Sequence, residues 1–275
     1  MSPLGNEREL HHDRPVTSVF DRPDFNRALF HARKTKSPKP PGSKDVFVDV
    51  ADDAKLHLRI YDSPGAEVML LLFHGNGEVV ADYDSLADKW ERKVGVSLAV
   101  VDYRGYGQST GTPTLRASIG DAIPVLDAAL KFVRRRHLVV MGRSLGGALA
   151  AEVCRNERPE VAGFVFESVS SDLIGVAKRR RFDLGDPLTP EDTAILDPLP
   201  KFAHCHVPAL VLHGEDDQIV PATEAEGTFL ALPTANRTKV LIPGCGHNDL
   251  YRSEVYWMVL NRFVASLTAA KDKPR

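Results

Sequence analysis

The sequence predicts an α/β fold, a mostly parallel sheet of about eight strands with helices on both faces, and three observations predict it. First, six short apolar runs recur along the chain: Val68 to Phe73, Ser97 to Val101, Leu138 to Met141, Ala162 to Phe166, Ala209 to Leu212 and Val240 to Ile242. Continuous rather than alternating apolar character suits strands buried on both faces. Second, helix-compatible stretches separate them: Asp82 to Lys93, Thr114 to Arg136, Ser144 to Asn156, Ala222 to Leu232 and Asp249 to Leu267. Third, the run Leu138 to Met141 passes straight into Gly142-Arg143-Ser144-Leu145-Gly146 and then an Ala-rich helix. Such a strand-to-helix turn lifts a serine hydroxyl clear of the backbone above the sheet.

The elements follow in order. Residues 1–44 are rich in Pro, Arg, Lys and His and read as an N-terminal arm, partly ordered because Phe20, Phe25, Leu29 and Phe30 offer apolar anchors for a short helix. Asp45 to Val50 and Lys55 to Tyr61 alternate around Asp52-Asp53 as an opening hairpin. The main domain then runs over 45–275, with residues 170–206 as a small insertion after the sixth strand. That insertion carries Leu173, Ile174, Val176, Phe182, Leu184, Leu188 and Ile195, enough apolar surface for a small helical cap. No internal repeat is present.

Length and composition exclude more than they assign. At 275 residues the chain fits a single domain with a sizeable core. Lys plus Arg, 35, nearly balances Asp plus Glu, 37, so nothing global argues for nucleic acid or a membrane surface as partner. No apolar run is long enough for a membrane span, and Met1 to Arg14 is polar where a signal peptide is apolar, so the cytoplasm is the expected location. Cys154, Cys205 and Cys245 have no C-x-x-C spacing and suit reduced thiols. Cys245 reads as a small residue in a tight loop, and His204-Cys205-His206 lacks a fourth ligand nearby; no metal or cofactor is expected.

In such a sheet chemistry sits just beyond the carboxyl ends of the strands. Those positions hold His74-Gly75-Asn76-Gly77, Asp102 to Ser109, Ser144, Glu167-Ser168, His213 to Asp217 and Gly244 to Asp249. A bare G-x-S-x-G occurs by chance in about one chain of this length in ten, so the flanking strand and helix carry the weight. A serine hydroxyl needs a base to take its proton and an acid to hold that base in one tautomer. Ser144 is the candidate nucleophile. His247, on the Gly-rich loop after the last strand, is the candidate base. His74 and His213, each before a glycine at a strand end, are expected to brace loops.

The motifs HGNG (74–77), DYRGYGQS (102–109), GRSLGG (142–147), HGEDDQIVP (213–221) and GCGHNDL (244–250) resemble the α/β-hydrolase serine enzymes, specifically their small bacterial esterase-like, Bem46-type branch. The resemblance spans Val46 to about Leu267. It implies an α/β-hydrolase fold and places the acid at Asp217, with Asp216 and Glu167 as alternatives. It also implies that backbone N–H groups of Leu145 and Asn76 form the oxyanion hole, and it makes Arg104 a loop anchor.

A small cap implies an open, moderately apolar pocket. The expected activity is hydrolysis of short- to medium-chain carboxylic esters through an acyl-enzyme, with a small-molecule acyl substrate as partner; thioesterase and peptidase or amidase chemistry use the same triad. A non-catalytic binding module is the alternative from another class, and an aspartate would be needed at position 144 for dehalogenation. The basic runs Lys178 to Arg181 and Arg134 to Arg136 read as solvated faces. The acyl group, the leaving group and the oligomeric state are open at this level.

Overall fold

In the computed structural model, which describes residues 18–133, 137–184 and 188–269, one eight-stranded sheet has the order β1-β2-β4-β3-β5-β6-β7-β8. Its strands are β1 (Ser43–Asp49), β2 (Lys55–Tyr61), β3 (Val68–Phe73), β4 (Val96–Val101), β5 (His137–Arg143), β6 (Val161–Glu167), β7 (Ala209–Gly214) and β8 (Arg237–Ile242). β1 and β2 pair antiparallel, β2 joins β4 antiparallel, and every pair from β4 to β8 is parallel. The opening hairpin turns at Asp52 and Asp53, both at positive φ, a conformation that aspartate tolerates better than most residues. Residues 1–17 of the arm and the basic run Arg134 to Arg136 lie outside the described residues.

Ten α-helices cover the sheet among the described residues: α1 (Pro23–Leu29), α2 (Ala87–Val94), α3 (Leu115–Gly120), α4 (Ala122–Val133), α5 (Gly146–Arg155), α6 (Leu173–Arg179), α7 (Pro190–Leu196), α8 (Leu199–Phe202), α9 (Glu224–Ala231) and α10 (Glu254–Ala269). The sequence reads as one helix over Thr114 to Arg136; the chain instead makes two, α3 and α4. Pro124 sits in the first turn of α4, where it has no N–H for the carbonyl one turn back, so the preceding helix ends at Gly120. Thr114 accepts from the Ala117 N–H and caps α3.

The strand alternation divides the core. Leu138 and Val140 on β5 join the cluster under α3, α4, α5 and the cap, whereas Val139 and Met141 join that under α2 and α10. Arg143 continues the second series, so its side chain leaves the strand on the α2 and α10 side. The arm belongs to the first cluster: Phe20, Phe25 and Phe30 are buried there, and Phe25 meets Phe182 of the cap edge-on at 5.8 Å. Arg104 behaves as a loop anchor, gripping buried Asp121 with Nε and Nη2 at 2.7 and 2.8 Å. The cap root is tied by Glu224 on α9, whose Oε2 accepts from Ser170 Oγ, Ser171 Oγ and two backbone N–H groups while Oε1 takes Arg179.

Candidate active site

The turn after β5 is as tight as a protruding serine requires. Ser144 has φ of +51°, in the left-handed region that costs a non-glycine residue energy. Its surroundings leave no choice: a Cβ on Gly146 would overlap the Phe73 carbonyl oxygen, one on Gly147 the Val169 side chain, and one on Gly142 would lie 2.7 Å from the Ala150 Cβ. The glycines therefore let α5 start against the ends of β3 and β6, and Ser144 N–H donates to the Glu167 carbonyl at 2.9 Å.

Three residues from three loops meet at this turn. His247 Nε2 lies 2.9 Å from Ser144 Oγ, and Nδ1 lies 2.7 Å from Asp217 Oδ2. A carboxylate only accepts, so it keeps the proton on Nδ1 and leaves Nε2 free to accept from the hydroxyl. Asp217 is itself clamped. Oδ1 accepts the Ile219 and Val220 N–H groups at 2.8 Å, and His213 Nε2, which bonds the Val220 carbonyl at 2.9 Å, stands 3.3 Å from Oδ2. Burial opposes its ionisation, but the hydrogen bonds from His213, His247 and Val220 hold its carboxyl well below the usual carboxylate range.

The neighbouring acids point elsewhere. Glu167 is buried against Arg143 Nε (3.1 Å) and the Tyr256 hydroxyl (2.7 Å), and burial pushes its carboxyl up despite the guanidinium. Asp216 is exposed. Cys245 is no activated thiol: burial, then Asp249 and Asp216, push it up. His74 bonds the Gly75 carbonyl through Nδ1, and His204 Nδ1 lies 2.7 Å from Glu157.

The backbone N–H groups of Leu145 and Asn76 have no hydrogen-bond partner among the described residues. Unpaired backbone donors are rare in folded chains. The Asn76 side chain is fully engaged: Nδ2 donates to the Leu29 carbonyl, and Oδ1 accepts from the His31 N–H (2.9 Å) and the Tyr106 hydroxyl (2.6 Å). Arg33 Nε adds a bond to the Gly77 carbonyl at 2.8 Å. The N-terminal arm thus straps the loop that carries Asn76.

Arg143 is the residue that sequence reasoning missed. Its guanidinium pairs with Glu78 and Glu167, and Nη2 donates to the His247 carbonyl and Asn248 Oδ1, each at 2.9 Å. Glu78 in turn accepts from Gly75 N–H and the Tyr83 hydroxyl. One side chain joins the loop of Asn76, the end of β6 and the loop of His247. Its position inside G-x-S-x-G, on the side-chain series of Met141, was the available signal.

Comparisons with known proteins bear on the fold and the family. A family model described as serine aminopeptidase, S33, matches residues 64–172. An uncharacterised Mycobacterium tuberculosis protein is 30% identical over 216 residues, 76% of this chain and 74% of that protein. The protein Bem46 of Schizosaccharomyces pombe is 25% identical over 209 residues, 74% of this chain and 69% of its own length. Among solved structures, a Pyrococcus furiosus esterase is similar with a TM-score of 0.67 at 19% identity, covering 86% of this chain and 98% of that one. The fold, the family match and these relatives make it a hydrolase of the α/β-hydrolase fold. The chain belongs to the α/β-hydrolase family and is Bem46-like. No helix among the described residues is long and apolar enough to cross a membrane.

Proposed function

We propose that this hydrolase is a serine esterase that cleaves small carboxylic esters through an acyl-enzyme, with Ser144 as nucleophile, His247 as base, Asp217 as the acid that orients it, and the Leu145 and Asn76 N–H groups as the oxyanion hole. The observation that supports this reading most is the unbroken hydrogen-bonded line from Asp217 through His247 to a serine held at positive φ. His247 Nε2 takes the Ser144 proton as Oγ attacks the ester carbonyl, and the charge that develops on the carbonyl oxygen falls to the two N–H groups. Collapse expels the alcohol, which takes the proton back from His247; water then repeats the sequence on the acyl-enzyme.

The division into an arm (1–44), a hydrolase domain (45–275) and a cap (170–206) belongs to the same proposal. The contacts of α1 with the cap and the ties of Glu224 at the cap root support it. A cytoplasmic location is proposed with it, supported by three buried, unpaired cysteines that suit a reducing compartment. An active-site-directed fluorophosphonate labels the protein and spares Ser144→Ala. A panel of p-nitrophenyl esters of rising chain length, run beside aminoacyl amides and acyl thioesters, then reads the bond type. Turnover confined to the amides moves the assignment to a peptidase, the activity that the matching family model's description names. No labelling at all leaves a binding module.

A further inference from the structure

α2 and α10 lie side by side on one face of the sheet, joined by Trp90 against Trp257 and by Lys93 on Glu254, and their outer surfaces differ. Every exposed position of α2 is charged: Asp88, Glu91, Arg92 and Lys93. Of the exposed positions of α10 only Glu254 and Arg262 are charged. Between them stands Met258, at 63% the most exposed large apolar side chain among the described residues, with Val255 at 39% beside it and Tyr251 at 38% in the turn that leads into the helix. A lone exposed apolar residue is ordinary. A solvent-facing helix stripe with apolar residues at its centre and one charge of each sign is the composition of a contact surface.

The two charges are placed symmetrically. Glu254, Met258 and Arg262 follow at steps of four on one stripe of the helix, each charge about 6 Å along the axis from the methionine. Arg262 has no partner among the described residues, and the Glu254 side chain, which gives Oε2 to Lys93 at 2.8 Å, is still 74% exposed. We propose that this stripe is a two-fold interface whose occupant is α10 of a second copy of this chain, packed antiparallel about Met258. A two-fold interface presents one surface to itself. Antiparallel pairing sets Met258 on Met258 and each Glu254 against the other copy's Arg262, whereas parallel pairing sets like charge on like charge. The charges therefore select both the occupant and its direction. Tyr251 falls opposite Ala265 in the same register, a large ring against a small side chain, and supplies the aromatic surface that interfaces favour.

Sedimentation velocity of the full-length protein between about 1 and 100 µM should show a monomer–dimer equilibrium, since an interface built on one helix per copy is small. Arg262→Glu and Glu254→Arg should each remove the dimer. The double variant, which exchanges the two charges, should restore it, and circular-dichroism melts check that all three fold. In Met258→Cys, diamide should link two chains through residue 258, which meets its own copy at the axis; the reagent takes up the two electrons and two protons that the thiols release. Leu230→Cys, 62% exposed on α9, should not be linked, and the native cysteines are buried. A protein that stays monomeric over the whole range, a dimer that survives both single reversals, a folded double variant that stays monomeric, or linkage at 230 equal to that at 258 overturns the proposal. So does a monomer that co-sediments with phosphatidylcholine vesicles and loses them in Met258→Glu, a result that makes lipid the occupant.

Discussion

Two buried histidines in this molecule hold a carboxylate through Nδ1 at nearly the same distance, His247 to Asp217 at 2.7 Å and His57 to Asp102 at 2.9 Å. Their other nitrogens differ. His247 Nε2 meets the Ser144 hydroxyl, whereas His57 Nε2 lies 3.0 Å from Asp45 Oδ1, close in charge but poorly aligned as a hydrogen bond. An imidazole between two carboxylates is stabilised as the cation and has no lone pair for chemistry; one between a carboxylate and a hydroxyl keeps a lone pair aimed at the proton it must take. The dyad is thus common to a structural setting and to the proposed reactive one, and the third partner separates them.

Removing each carboxylate is the strongest way to break that comparison. Asp217→Asn should lower kcat by about 10⁴-fold, because the amide can donate to Nδ1 and so favours the wrong tautomer. Ser144→Ala should abolish acyl-enzyme formation altogether. Asp102→Asn should instead act on stability, since Asp102 is buried and also accepts the Val80 N–H. A cost of about 2–4 kcal/mol, or a melting temperature lower by about 5–10 °C, is expected with kcat changed little. Ester hydrolysis and thermal melts on the same preparations decide it, and an Asp102→Asn enzyme that lost activity as Asp217→Asn does would end the distinction.

Arg143 comes next in expected size. Replacing it with Met keeps the length of the stem but strands Glu78 and Glu167, unlinks the His247 loop and lets the Asn76 loop drift. A displacement of about 1 Å in the reacting groups costs on the order of 100-fold in rate. Loss of kcat with fluorophosphonate labelling slowed in parallel is the expected result, partly restored by Arg143→Lys, which keeps the charge but not the fork. An Arg143→Met enzyme with normal kcat would reduce the hub to packing.

What was legible from the sequence follows the same division. Runs such as Val68 to Phe73 announced strands because they are apolar throughout, and Ser144, Asp217 and His247 stood at the ends of such runs in a fixed order. Those features are local. The role of Arg143 depends on Glu78, Glu167 and the 247–248 loop, partners up to 105 positions apart that no spacing rule connects. His57 was invisible for the same reason, its two carboxylates lying 12 positions before it and 45 after it. The break at Pro124 was present in the sequence but was outweighed by the apolar period on either side of it.

The arm provides a smaller test. Asn76→Ala retains the backbone N–H but releases the loop from Leu29, His31 and Tyr106, so a fall of about tenfold in kcat with KM little changed is expected if the strap only holds a donor in place. A larger rise in KM than fall in kcat would mean that the side chain shapes the ground-state pocket instead.

The smallest effect concerns pH and returns to His57. Burial alone would lower its pKa, but the hydrogen bond to Asp102 and the nearby charge of Asp45 outweigh that and raise it. A raised value means that the folded state binds the proton more tightly than the unfolded chain does. The associated stability is fully present below the unfolded value of about 6.5 and is lost as pH rises through the folded value. Asp217 has the opposite sign: its depressed carboxyl contributes stability above the ordinary carboxylate range that disappears only as strong acid protonates it. From pH 6 upward, therefore, Asp217 contributes nothing to the slope and His57 contributes a downward one. Melting temperatures measured between pH 6 and 9 should fall in the wild type and flatten in His57→Gln, while kcat at pH 7 is retained. A slope unaltered by that substitution would mean that His57 is neutral in the fold, and the carboxylate on each side of it would then no longer distinguish it from His247.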